Sequence, residues 1–89
     1  MRGVQLHIRG DVSSDKAIPW ICHRALLLNL NGWVERKNDD LIVVAVEGPE
    51  PLVDAMEVAC SLGPSDILVQ RIDRRDYDFQ ARPNGFSVA

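Results

Sequence analysis

Val4, Leu6 and Ile8 alternate with Gln5, His7 and Arg9, the period of two that half-buries a β-strand. A polar stretch, Gly10 to Lys16, follows, and then the apolar spacing becomes helical. From Pro19 to Leu30, Ile21, Ala25 and Leu28 share one stripe with Cys22 beside it, and Asn31-Gly32 has the composition of a left-handed helix cap. Pro19 suits the first position of that helix and biases Ile18 toward an extended backbone. Trp33 to Arg36 reads as a short strand and Lys37-Asn38-Asp39-Asp40 as a turn. The β-branched run Leu41 to Glu47 reads as a third strand that forms a hairpin with the second. Gly48-Pro49-Glu50-Pro51 opens a second helix, whose stripe of Leu52, Val53, Met56, Ala59 and Cys60 ends at Gly63-Pro64. Ile67 to Ile72 is a fourth strand, Arg74 to Asn84 is polar with few periodic cues, and Gly85 to Val88 is a short last strand.

The order β, α, β, β, α, β with a short final strand predicts an α+β, ferredoxin-like βαββαβ sandwich, an antiparallel sheet with two helices on one face. With 89 residues, 46% of them apolar, the chain is expected to form a single domain over residues 1–89. Its apolar runs are too short to span a bilayer, so no membrane partner is expected. Met1-Arg2-Gly3 leads straight into the first strand without a charged-then-apolar leader, and the expected location is cytoplasmic. A formal charge of −3 argues against nucleic acid as a partner.

Cys22 and Cys60 lack a C-x-x-C spacing and read as buried, reduced thiols. His7 and His23 have no companions at metal-ligand spacing, so neither a metal nor another cofactor is expected. Asp73 and Asp76 read as a solvated strand-end pair, and Trp20 and Trp33 as packing residues. Both alternating sets of strand three are apolar, Leu41, Val43 and Ala45 as well as Ile42, Val44 and Val46. One set is left over once the helices cover the other, which points to packing or to a homodimer through the apolar sheet face.

Gly10 and Val12, Gly32-Trp33-Val34, Glu47-Gly48-Pro49, Gly63-Pro64 followed by Ile67, Val69 and Ile72, and Gly85-Phe86 occur in an order and at spacings that resemble the acylphosphatase family over nearly the whole chain. The resemblance implies hydrolysis of acyl phosphates without metal or covalent intermediate. A loop of the form G-x-V-Q-G-V-x-F-R would close backbone N–H groups and an arginine around the phosphate, and an asparagine after G-W-V-x would orient the attacking water. The physical logic is electrostatic preorganisation around a phosphoryl group.

Counted without gaps from Gly10, the loop of this chain places Ile18 where the resemblance implies the arginine and Arg36 where it implies the asparagine. Ser14 and Lys16 replace loop glycines, Asp15 adds a charge that repels phosphate, and Pro19 removes an N–H. The expectation is therefore an acylphosphatase-like domain with no catalytic residue, acting as a binding or interaction module for an unknown protein or a small anionic ligand. Ser13, Ser14, Lys16 and Arg36 are the anion-binding candidates, although as loop side chains they read more simply as solvated. The alternative is an acylphosphatase whose phosphate site is altered, with Lys16 or Arg36 carrying the anion. Arg24 lies more than a turn beyond Ile18 and cannot replace an arginine there.

Overall fold

The computed structural model describes residues 2–89; Met1, the first residue of the domain expected over 1–89, lies outside them. In chain order the elements are β1 (Arg2–Asp11), α1 (Ala17–Leu27), β2 (Asn31–Asn38), β3 (Leu41–Glu47), α2 (Glu50–Leu62), β4 (Leu68–Asp78) and β5 (Phe86–Val88). One sheet runs β4-β1-β3-β2-β5. The first four strands pair antiparallel, as expected, but β5 lies parallel to β2, with Gly32 opposite Phe86 and Val34 opposite Val88. The sheet is therefore mixed. Both helices lie on one face, as the βαββαβ order predicts.

The core forms between the helices and the inward positions of the central strands. Leu6 and Ile8 of β1 and Ile42, Val44 and Val46 of β3 meet Ile21 and Ala25 of α1 and Val53, Met56 and Cys60 of α2, all essentially buried. Burial of this kind, at about 1.5–3 kcal/mol for each large aliphatic side chain, is what fixes strand register. Met56→Ala is expected to cost about 2–5 kcal/mol in urea unfolding, because the cavity would lie in the middle of this cluster.

Several boundaries depart from the sequence reading. Helix α1 starts at Ala17, and Pro19 is its third residue rather than its first. Proline is tolerated there because the first four N–H groups of a helix have no partner within it, so Ile18 stays helical. The helix ends at Leu27, not Leu30. Asn29, at φ 55°, takes the left-handed position, while Asn29 N–H donates to Leu26 O and Leu30 N–H to Ala25 O, both at 3.0 Å. This is a Schellman ending with asparagine in the glycine position, and it releases Asn31-Gly32 into β2.

The largest difference is β4, which continues to Asp78 through residues read as irregular. Each of them pairs with β1, down to Arg2 opposite Asp78. As an edge strand β4 need not be apolar. Arg74, on its helix-facing side, bonds Asp54 and Glu57 of α2 at 2.7 and 2.8 Å. Asp73 lies within the strand and pairs with Arg9 and Arg71, each at 3.1 Å, and is not a solvated strand-end residue.

On the face away from the helices, Val43 and Ala45 are 3% and 0% exposed within one chain. Their cross-strand neighbours there are His7, Gln5, Glu35 and Trp33. Trp33, Tyr77 and Phe79 form an edge-to-face row at 6.1 and 4.7 Å between ring centres. His7 lies on the same face, Nε2 3.1 Å from Gln5 Oε1. Burial, then the charges of Arg75 and Arg9, lowers its pKa below the ordinary histidine value, with Asp73 opposing.

Because the folded value is the lower one, the unfolded chain takes the proton first on acidification. The stability held by neutral His7 is complete above about pH 6.5 and is lost as the pH falls below it. An NMR titration should give His7 a depressed midpoint that rises in Arg75→Gln; an unmoved midpoint would show that the Arg75 charge is not felt there.

Candidate functional site

The segment Val12 to Lys16 joins β1 to α1 at one end of the sheet. A bulge in the β1–β4 pairing, between Arg9 and Gly10, turns the chain toward it. Gly10 sits there at φ +151°, where a Cβ would lie 2.0 Å from the Leu68 carbonyl oxygen, so glycine is needed to form the bend. The N–H groups of Gly10 and Val12 donate to Asp40 O and Asp39 O at 3.2 and 3.1 Å, fastening the segment to the β2–β3 turn.

Arg36 reaches the loop from the helix-facing side of β2, opposite Ile42. Its guanidinium donates to the carbonyl oxygen of Val12 and, at 2.8 Å, to that of Ser14. The side chain is half-buried and is not the solvated group expected from the sequence. The serines are also engaged, Ser14 Oγ donating to Asp66 at 2.6 Å and Ser13 Oγ to Asp11 at 2.9 Å. Ser13 N–H lies 3.4 Å from the same Asp11 oxygen, Lys16 N–H donates to Ser14 Oγ and Ala17 N–H to Ser14 O. Together with Val12 these make four loop amides already in use, which leaves at most those of Ser14, Asp15 and Ile18 for an anion, since Pro19 has none.

An anion cradle needs N–H donors converging on an empty centre. This loop instead turns two carbonyl oxygens toward a cation that belongs to the chain itself. Ile18 is half-buried against the core cluster and contributes no polar side chain. Of the four candidates, Arg36 and Ser14 are brought together through the Ser14 carbonyl, while Ser13 is tied to Asp11 and Lys16 stays exposed. Among the described residues the Lys16 ammonium has no hydrogen-bond or ion-pair partner, so it is the loop's free positive charge.

The role of Asp66 as the anchor of Ser14 was not foreseen; its only signal in the sequence is its position just before β4. Arg24 points away from the loop, its guanidinium carbon 5.2 Å from the Trp20 ring centre. Neither cysteine is near the loop chemistry as a reactive group: both are free, Cys22 is half-buried, and burial pushes the Cys60 thiol up to about 12. Among the described residues no group of His, Cys, Asp and Glu could hold a metal ion. Among the described residues no helix is long and apolar enough to cross a membrane.

Comparison with known proteins agrees with this architecture. The family model for acylphosphatase matches residues 4–88. The chain belongs to the acylphosphatase family. It is 32% identical over 68 residues to an acylphosphatase of Rhodopseudomonas palustris, covering 76% of this chain and 69% of that protein. It is 34% identical over 64 residues to acylphosphatase 2 of Ralstonia nicotianae, covering 72% and 67%.

Among solved structures, the acylphosphatase from Bacillus subtilis superposes with a TM-score of 0.91 over 100% of this chain and 99% of that one, at 21% identity. The same fold occurs inside a longer protein, T. kodakarensis HypF, where the match has a TM-score of 0.89 and 22% identity, and covers 100% of this chain and 12% of the other. At these identities the structural likenesses concern the fold alone. Of the two positions singled out by the sequence pattern, Ile18 lies in the first turn of α1, just past the loop, and Arg36 lies on β2 with its guanidinium against the loop.

Proposed function

We propose that this acylphosphatase-family domain binds a partner or a small anionic ligand without hydrolysing acyl phosphates at the β1–α1 loop. The observation that carries the reading is the Arg36 guanidinium held by the carbonyl oxygens of Val12 and Ser14. A phosphate entering the loop would meet those acceptors and the Asp15 carboxylate, where preorganised donors are required. Ile18 offers no charge to clamp it, and no side-chain amide of the loop is placed to orient a water. Of the two macromolecular partners open to such a module, another protein fits better than a copy docked on strand β3, since Val43 and Ala45 are already covered within one chain.

A second reading, hydrolysis of acyl phosphates at an altered site, draws on the relatives named acylphosphatase, and the comparisons as a whole weigh toward it. Its local support is that a guanidinium has five N–H donors and Arg36 commits only two to the loop carbonyls. The remaining three, with the exposed Lys16 ammonium, would then face the phosphate, and the cation would come from β2 instead of from the start of α1.

One assay separates the readings. The purified chain is expected to hydrolyse acetyl phosphate no faster than buffer. Saturable turnover that is lost in Arg36→Ala or in Lys16→Ala would establish the second reading. Loss of one preorganised donor typically costs about 2.7–4 kcal/mol, or roughly 10²–10³ in rate, so the contrast with an intact site is large.

A further inference from the structure

The outer surface of the helix pair carries an apolar groove whose lining includes no residue of the β1–α1 loop. Trp20 and Arg24 of α1 form one wall and Ala55, Val58, Ala59 and Leu62 of α2 the other, around an open volume of about 590 Å³. Both walls follow helical spacing, i, i+4 on α1 and i, i+3, i+4, i+7 on α2, so they run as two ridges with small alanines between them. Val58 and Leu62 are 59% and 78% exposed, and Leu27, one turn beyond Arg24, is 63% exposed. Apolar surface gathered in this way, with tryptophan and arginine along one wall, has the composition of a binding hot spot.

Arg24 decides what the groove would take. Its guanidinium stacks on Trp20, its Nε is buried without a hydrogen-bond partner, and among the described residues its side chain forms no ion pair. A guanidinium stacked on an indole, with no hydrogen-bond or ion-pair partner for its terminal nitrogens among the described residues, is complementary to a carboxylate. We propose that the α1–α2 groove receives an amphipathic helix of a partner protein, with its apolar stripe on Val58 and Leu62 and an aspartate or glutamate against Arg24.

A small ligand fits less well, because it would leave the exposed rims of Val58 and Leu62 in water. A second copy of this chain fits less well too: the walls carry no acidic residue to meet Arg24, and the nearest carboxylates of α2, Asp54 and Glu57, are bonded to Arg74. The inference is independent of whether the loop hydrolyses acyl phosphates, since none of its residues belongs to that site.

The test uses two synthetic amphipathic helical peptides with the same leucine stripe, one carrying glutamate at its edge and the other lysine at the same position. Titrated into the ¹⁵N-labelled chain, the glutamate peptide should give saturable shifts clustered at Trp20, Val58 and Leu62. The lysine peptide should bind at least about tenfold more weakly. Arg24→Glu should reverse that preference, a result that loss of folding cannot mimic, and Leu62→Asp, on an exposed position, should weaken both peptides. Equal binding of the two peptides, no saturable shift in the groove, or a concentration-dependent dimer abolished by Leu62→Asp would each overturn the proposal.

Discussion

The double variant Ile18→Arg with Arg36→Asn is expected to remain unable to turn over acetyl phosphate, although it restores both side chains that the family resemblance implies. The reason lies in the loop. Removing the Arg36 guanidinium strips the Val12 carbonyl oxygen of its donor and leaves the Ser14 carbonyl with the Ala17 N–H alone, and the unmet Val12 acceptor costs about 1–3 kcal/mol until water reaches it. The new arginine would start from a helix turn that is packed against the core. Four loop amides would still be committed to Asp39, Asp11 and Ser14, and Asp15 would still repel the ligand.

A fuller graft adds Ser13→Gln, Ser14→Gly, Asp15→Val and Lys16→Gly to the pair, with Pro19→Ala to return an N–H to the first turn. Ala17 should be left alone. It is fully buried, and a phenylalanine there would overpack the core by about 1–3 kcal/mol. The graft should bind inorganic phosphate, with amide shifts across residues 13–19, where the double variant shows none. Turnover by the double variant alone would show that two side chains suffice and that the loop backbone is not the obstacle.

That prediction depends on a feature the sequence displays only in part. The alternation in β1, the β-branched run of β3 and the Pro-flanked start of α2 mark these elements because burial on one or both faces dictates residue type directly. The far half of β4 was illegible for the opposite reason. Asp73 to Asp78 belongs to an edge strand, where backbone pairing with β1 makes the strand, while Asp73 is satisfied by Arg9 and Arg74 by Asp54 and Glu57.

The parallel docking of β5 is equally hidden, since three residues carry too little pattern to specify a direction. At the loop, counting identified Ile18 and Arg36 as the positions that matter. It could not show that Arg36 folds back on Val12 and Ser14, because a backbone carbonyl is the same in every residue. Long-range bonds to the main chain leave no trace in the residue types that accept them.

Gly32→Ala should be the most damaging single substitution outside the core, and it explains physically why glycine precedes Trp33-Val34 in the pattern shared with the family. Gly32, the second residue of β2, sits at φ +147°, and a Cβ there would lie 1.8 Å from the Ala45 carbonyl oxygen and 2.8 Å from its carbon. The conflict cannot be relieved by rotating a side chain, because the obstacle is the backbone of β3, the central strand, at a residue with no exposed surface. Moving β2 away would break its pairing with β3 and its contact with the last strand, where Gly32 N–H donates to Gly85 O at 2.9 Å. A chain of this size has of the order of 4–13 kcal/mol of stability in total. Strain against fixed backbone at such a φ is expected to remove about 3 kcal/mol or more.

Gly85→Ala is the control, with a positive φ of 82° but no atom within 4 Å of the added Cβ, so it should lose only the left-handed penalty of about 1–2 kcal/mol. Urea denaturation of the two variants measures the difference. A Gly32→Ala midpoint no lower than that of Gly85→Ala would mean that β2 can slide outward. In that case the strand would no longer hold Arg36 rigidly against Val12 and Ser14, and the closure of the loop would be weaker than the contacts imply.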